Sequence, residues 1–221
     1  MKLAAFISGG KDSMLALHKA SEKHEVVCLV TVKPANPDSY MFHTVNVDLV
    51  DYIAICLEKP LYKIFVSGEK EKEVEEVAKA LENLNVDGIV IGGIESEYQR
   101  RRFEKICEEN GLKMFAPLWK KSPEDIVREV AEKFEAIIVK VSAEGLDEKW
   151  LGRKIDSKAV EELMELSKKY GIHPAGEGGE FETLVLNAPL YKKKLKINGW
   201  RIQKEALASS LIVEKIELES K

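Results

Sequence analysis

Short apolar runs alternate along the chain with longer stretches in which apolar positions recur every three to four residues. Residues 3–7 are apolar throughout and stop at Ser8, Gly9 and Gly10, the pattern of a strand buried on both faces. Residues 12–23 follow with Met14, Leu15, Leu17 and Ala20 spaced along one helical face. Apolar, β-branched runs at 25–32, 61–66 and 87–92 predict further strands, and 113–116 a short fifth. Helical periods fill 45–57, 69–84 and 97–110, the last ended by Gly111 where a left-handed residue is wanted. Strands that are apolar on both faces and separated by helices predict a parallel, Rossmann-type α/β sheet with helices on both sides. Ligands of such sheets bind beyond the carboxyl ends of the strands. The loops at 8–12, 31–36 and 92–97 all fall there and can converge on one crevice.

From residue 122 the pattern changes. Ser122 reads as an N-cap and Pro123 as the first position of a helix running to residue 133. A strand at 136–141 and a helix at 156–170, closed by Gly171, come next. Residues 183–186, 193–202 and 207–218 then read as strands with no helix between them, which predicts a smaller α+β region. The boundary is placed near 118–122, giving an ATP-binding domain over 1–120 and a substrate-binding domain over 121–221.

Of the 221 residues 45% are apolar, enough for a core that needs no disulfide or structural metal. The 34 basic and 38 acidic side chains leave a net charge of -4, which gives no general attraction to nucleic acid or an anionic membrane. A local basic run does exist at Gln99, Arg100, Arg101 and Arg102. Three cysteines without a CxxC pair make neither a disulfide framework nor a zinc site. No signal segment or membrane span is expected, so the protein should be cytoplasmic. Trp119, Trp150 and Trp200 would serve a core or a homo-oligomer interface equally well.

The chemistry starts at Ser8, Gly9, Gly10, Lys11, Asp12 and Ser13, between the first strand and the first helix. Two glycines let the backbone turn tightly and set bare N–H groups against phosphate oxygens. The helix N-terminus adds its partial positive charge, Lys11 adds a full one, and Ser8 and Ser13 add hydroxyls. Asp12 would repel a phosphate unless a cation such as Mg²⁺ lay between them. This spacing is not that of a Walker A loop; it resembles the PP-loop of N-type ATP pyrophosphatases, which cleave ATP between its α and β phosphates.

Two further segments carry charge in unusual places. Gly92 ends a strand and leads through Ser96, a plausible N-cap, to Tyr98, Gln99 and Arg102 in the first turns of a helix. An arginine there suits a phosphate or a substrate carboxylate; a solvated basic face or a tRNA contact is the alternative. Glu177, Glu180 and Glu182 stand among Gly176, Gly178 and Gly179 just before a strand. Clustered carboxylates on a glycine-rich backbone repel one another and cost order. They make sense around a cation, an ammonium or a cationic substrate; a charged surface turn is the plainer reading.

Taken with Pro117-Leu118-Trp119, Gly145-Leu146-Asp147, Leu151-Gly152 and Tyr191-Lys192-Lys193-Lys194, these segments resemble the diphthine–ammonia ligases in order and spacing over nearly the whole chain. The resemblance implies a HUP-type ATP-binding domain followed by a family-specific domain. It implies that ATP, ammonium and diphthine on elongation factor 2 give diphthamide, AMP and pyrophosphate through an acyl-adenylate. It further implies ATP binding at Ser8–Ser13 and Gly92, and substrate contacts at Ser96, Tyr98, Gln99, Arg102, Glu180 and Glu182. Lys11, Asp12, Glu177, Glu180 and Glu182 would be catalytic, and Asp12 the Mg²⁺ ligand. Larger eukaryotic members carry additional C-terminal domains, which the core reaction would then not require.

Free ammonium is the expected nitrogen source, because no cysteine sits in a nucleophile motif with a histidine partner. The glutamates would capture ammonium and take its proton, or recognise the quaternary ammonium of diphthine. His43 is expected to be structural, with a place facing the nucleotide as the alternative. The alternatives are a PP-loop enzyme modifying tRNA, which needs a nucleic-acid surface, and a nucleotide-binding module without catalysis, which does not need so many acidic and hydroxyl groups.

Overall fold

The computed structural model describes residues 1–35, 46–69 and 71–221. His43 and the predicted start of a helix at residue 45 lie outside these. Contacts along the chain separate two compact units. The first comprises Met1–Ser8, Asp12–Ala54 and Lys59–Trp119; the second comprises Gly9–Lys11, Ile55–Glu58 and Lys120–Lys221.

In the first unit β1 (Lys2–Phe6), β2 (Glu25–Pro34), β3 (Leu61–Val66), β4 (Gly88–Val90) and β5 (Lys113–Phe115) form one parallel sheet in the order β3-β2-β1-β4-β5. The central strands β1, β2 and β4 are largely buried on both faces, as their apolar runs require, whereas β3 at the edge exposes Tyr62 and Phe65. On one face Ala4, Phe6, Val30, Val32 and Ile89 pack with Val74, Val77 and Leu81 of α3 (Lys72–Leu81) and with Phe103 and Ile106 of α4 (Glu97–Asn110). Strand alternation turns Leu3, Ala5 and Leu29 to the opposite face, where they too are fully buried. Met14, Leu15 and Leu17 of α1 (Lys11–Ser21) and Ile53 of α2 (Val50–Leu57) are buried as well. The strand order reverses between β1 and β4, and crevices form at such a switch point.

The second unit holds an antiparallel sheet, distinct from the first, in the order β7-β6-β9-β8. Its strands are β6 (Glu135–Val141), β7 (Phe181–Asn187), β8 (Lys193–Lys204) and β9 (Ser209–Ser220). Two helices belong to it, α5 (Pro123–Lys133) and α6 (Ser157–Tyr170). Ser122 caps α5 by accepting from the Asp125 amide, with Pro123 in the first turn. Asp156 caps α6, and Gly171 closes it at φ 72°. Trp150 is buried in this unit, whereas Trp200 stands 56% exposed on β8.

The boundaries that moved have local causes. The helix expected over 69–84 is confined to Lys72–Leu81, since Glu71 at φ 71° is outside helical geometry. The stretch expected as one helix to residue 57 opens with a 3₁₀ turn at Val47–Leu49 after Asn46 at φ 56°. The strand expected over 183–186 lengthens to Phe181–Asn187 because it pairs with both ends of β6, Val141 with Phe181 and Glu135 with Asn187. No helix among the described residues is long and apolar enough to cross a membrane.

Candidate functional site

Helix α1 begins directly after a turn in which Gly9 adopts φ 85°, a conformation other residues resist. The Ser8 amide donates to Ser13 Oγ at 3.2 Å, and the two hydroxyls lie 3.4 Å apart. The turn therefore closes on its own hydroxyls at the N-terminus of an eleven-residue helix. Asp12 stands in the first turn of that helix with Oδ1 buried.

Gly92 follows β4 and meets this turn at backbone distance. A Cβ on Gly92 would lie 2.6 Å from the Ser13 nitrogen and 2.8 Å from the Asp12 carbonyl carbon. Both obstacles are main chain, so no rotamer change relieves them. Gly92→Ala is expected to displace the start of α1 and to cost about 1–3 kcal/mol of stability, the scale of overpacking a closely fitted site. A denaturant melt checks this; an unchanged midpoint would contradict it.

Ser96 caps α4 by accepting from the Gln99 amide, and Gly111 closes that helix at φ 63°. Arg102 stacks on the Tyr98 ring with its guanidinium carbon 3.4 Å from the centroid, donates to the Tyr98 carbonyl at 3.2 Å and is ion-paired with Glu71. Arg100 is held by Glu104 at 2.7 Å and lies over the Trp119 ring. Much of the basic run is thus engaged within the unit.

In the second unit the segment after α6 wraps around one histidine. The His173 amide donates to Glu180 Oε1 at 2.9 Å, and its Nδ1 accepts from the amides of Ala175 and Glu177 at 3.2 and 3.3 Å. Gly176, at φ 72°, donates to the His173 carbonyl, and a Cβ there would come within 2.8 Å of the Phe181 oxygen. Ser142 donates its amide to the Glu180 carbonyl at 2.9 Å and its hydroxyl to the Gly179 carbonyl at 2.5 Å. Glu182 faces Lys140 directly across β6 and β7, with its carboxylate 3.2 Å from the ammonium.

The three glutamates therefore occupy unlike surroundings. Glu182 is neutralised by Lys140. Glu180 spends Oε1 on His173, while its Oε2 is buried with no hydrogen-bond partner among the described residues. Glu177 enters through its amide. Leaving a buried carboxylate oxygen unsatisfied is costly, and an ammonium or alkylammonium donor would satisfy it.

Gly9, Gly10 and Lys11 count with this second unit. Val185 donates to the Gly9 carbonyl at 2.9 Å, and the Lys11 amide donates to Thr183 Oγ1 at 3.0 Å. The Lys11 ammonium reaches the Ala175 carbonyl at 2.5 Å and sits 5.3 Å from the centre of the Phe181 ring. Lys11 is only 2% exposed. Fully buried Tyr191 supports this packing from behind by donating to the Val185 carbonyl. His173, Lys140 and Thr183 were not among the side chains expected to act. Contacts between distant segments reveal Lys140 and Thr183, whereas His173 acts within its own turn, which Pro174 and the glycines after it do mark.

The cysteines take no part. All three are free and buried; burial pushes the Cys56 and Cys107 thiols up to about 11, with Glu104 and Glu108 adding to the effect at Cys107. They should resist thiol reagents at neutral pH until the protein unfolds. A group whose pKa is raised on folding contributes stability that is lost as pH rises, here from about 9 toward 11. Denaturant melts across that range, compared with a Cys56→Ala variant, check the sign.

The chain matches the family model described as the diphthamide synthase N-terminal domain over residues 1–114 and the model of the corresponding C-terminal domain over residues 122–218. It is similar to the diphthine–ammonia ligase of Rattus norvegicus, at 39% identity over 223 residues, covering 90% of this chain and 83% of that protein. The human protein of the same name is also 39% identical, over 90% of this chain and 84% of its own length. The Saccharomyces cerevisiae protein of that name is 32% identical over 87% of this chain, which spans only 34% of it.

Proposed function

The chain belongs to the diphthamide synthase family, and from that membership we propose that it is a diphthine–ammonia ligase, amidating the diphthine carboxylate of elongation factor 2 at the expense of ATP. The observation that carries the reading is the seating of Lys11 on Ala175 and Thr183. It brings the glycine turn and the acidic segment together although more than 160 residues separate them in the chain.

A carboxylate does not react with ammonia in neutral water without activation. Attack by a carboxylate oxygen on the α-phosphorus of ATP breaks the α–β anhydride and forms an acyl-adenylate. The departing pyrophosphate would be held by the amides and hydroxyls of Ser8–Ser13 and by the Lys11 charge, which is electrostatic stabilisation at a fixed geometry. Among the described residues no cluster of His, Cys, Asp or Glu forms a metal site by itself. Asp12, at the helix N-terminus, would hold Mg²⁺ together with phosphate oxygens, as that ion prefers, and the ion would supply charge neutralisation.

Ammonia then attacks the acyl carbon and expels AMP. The nitrogen must arrive as ammonium and lose a proton. Glu180 suits this step, since its Oε2 is a buried acceptor with capacity to spare, whereas Glu182 already faces Lys140. Glu177 would stand beside it, and Ser96, Tyr98, Gln99 and Arg102 would contact substrate from the first turns of α4. The alternative of a tRNA substrate has less support, because the net charge of -4 gives no general attraction to nucleic acid and both matched family models are diphthamide synthase domains.

The test is the release of AMP and pyrophosphate from ATP by the purified protein. Equal amounts of both, over many turnovers only when ammonium and diphthine-bearing elongation factor 2 are present together, are expected. Release that ignores the protein substrate, or that needs tRNA instead, would overturn the reading.

A further inference from the structure

The segment that bears Glu177 and Glu180 is organised by His173, a residue to which the reaction itself assigns no part. Its main chain binds at two points, donating to Glu180 Oε1 and accepting from Gly176. Its side chain binds at two more, with Nδ1 accepting from the amides two and four residues ahead. A ring nitrogen that accepts from two amides carries no proton, so Nδ1 is the bare nitrogen of the ring. The i to i+2 contact is the one Asx side chains make in turns. Here it fixes Ala175, whose carbonyl receives the Lys11 ammonium, and Glu177. One imidazole thereby sets the separation of the cation in the glycine turn from the carboxylates.

We propose that His173 is a positioning residue for the amidation step, acting through Nδ1 as a hydrogen-bond acceptor that holds the Ala175 and Glu177 amides and so places Lys11 and Glu180. The proposal deepens the ligase reading and rests on it for its effect on turnover. Its effect on the loop does not.

The acceptor position makes a test that bulk or hydrophobicity would not mimic. Asparagine presents an sp² oxygen where Nδ1 stands; glutamine presents one where Nε2 stands. In hydrogen exchange on the full chain, the amides of Ala175 and Glu177 are expected to exchange about fivefold faster in His173→Ala and His173→Gln, and at the wild-type rate in His173→Asn. In amidation, His173→Ala and His173→Gln should lose about 10²-fold in kcat, while His173→Asn stays within about threefold of wild type. Thermal melts of the three variants exclude unfolding as the cause. Equal behaviour of the asparagine and glutamine variants, or unchanged exchange in His173→Ala, would overturn the proposal. If the wild-type protein does not amidate, the ligase reading fails, and the exchange data still decide whether Nδ1 holds the loop.

Discussion

Lys11→Met is expected to lower the rate of pyrophosphate release by about 10³-fold, the scale of removing a preorganised charge from a site of phosphate or nucleotidyl transfer. Methionine keeps the unbranched stem that packs at a position only 2% exposed, so the variant should fold. It removes the ammonium that donates to Ala175. The Ala175 carbonyl would lose that donor, a cost of about 1–3 kcal/mol that a denaturant melt reads directly. Both steps of the reaction should fail together, because the charge acts where pyrophosphate leaves. Turnover within a few-fold of wild type would mean that Lys11 only holds the Ala175 carbonyl.

Glu180→Gln should behave differently, and the contrast separates the two half-reactions. Glutamine keeps an oxygen for the His173 amide but replaces the acceptor at Oε2 by a group that can donate and carries no charge. Amide formation should fall by about 10²–10⁴-fold, the range for loss of a positioned general base. Exchange of labelled pyrophosphate into ATP, which reports adenylation alone, should persist. Glu182→Gln frees Lys140 from its partner and should perturb the β6–β7 pairing before it perturbs the chemistry. Loss of pyrophosphate exchange in Glu180→Gln would move this carboxylate to the first step.

Much of the architecture was legible from local chemistry. Ser96 and Gly111 mark the ends of α4, and Ser122 with Pro123 marks the start of α5, because caps satisfy helix termini within a few residues of sequence. The parallel sheet followed from apolar runs that need cover on both faces. What stayed hidden depends on pairing between distant segments. Lys140 meets Glu182 only through the antiparallel register of β6 and β7. The long reach from Lys11 to Ala175 has no local signature either. Nothing in the run Gln99–Arg102 announces that Glu71, at a positive φ, takes Arg102 as its partner. The glutamates were visible as a group, yet their separate surroundings came only from the contacts around them.

The central claim is that nitrogen from ammonium reaches the diphthine carboxylate on this chain. The most direct measurement is mass spectrometry of the modified histidine peptide of elongation factor 2 after incubation with the protein, ATP, Mg²⁺ and heavy-nitrogen ammonium. One heavy nitrogen per modified peptide is expected, in an amide that replaces the acid, with one AMP formed for each. A peptide that remains the acid while ATP is bound or hydrolysed would contradict it.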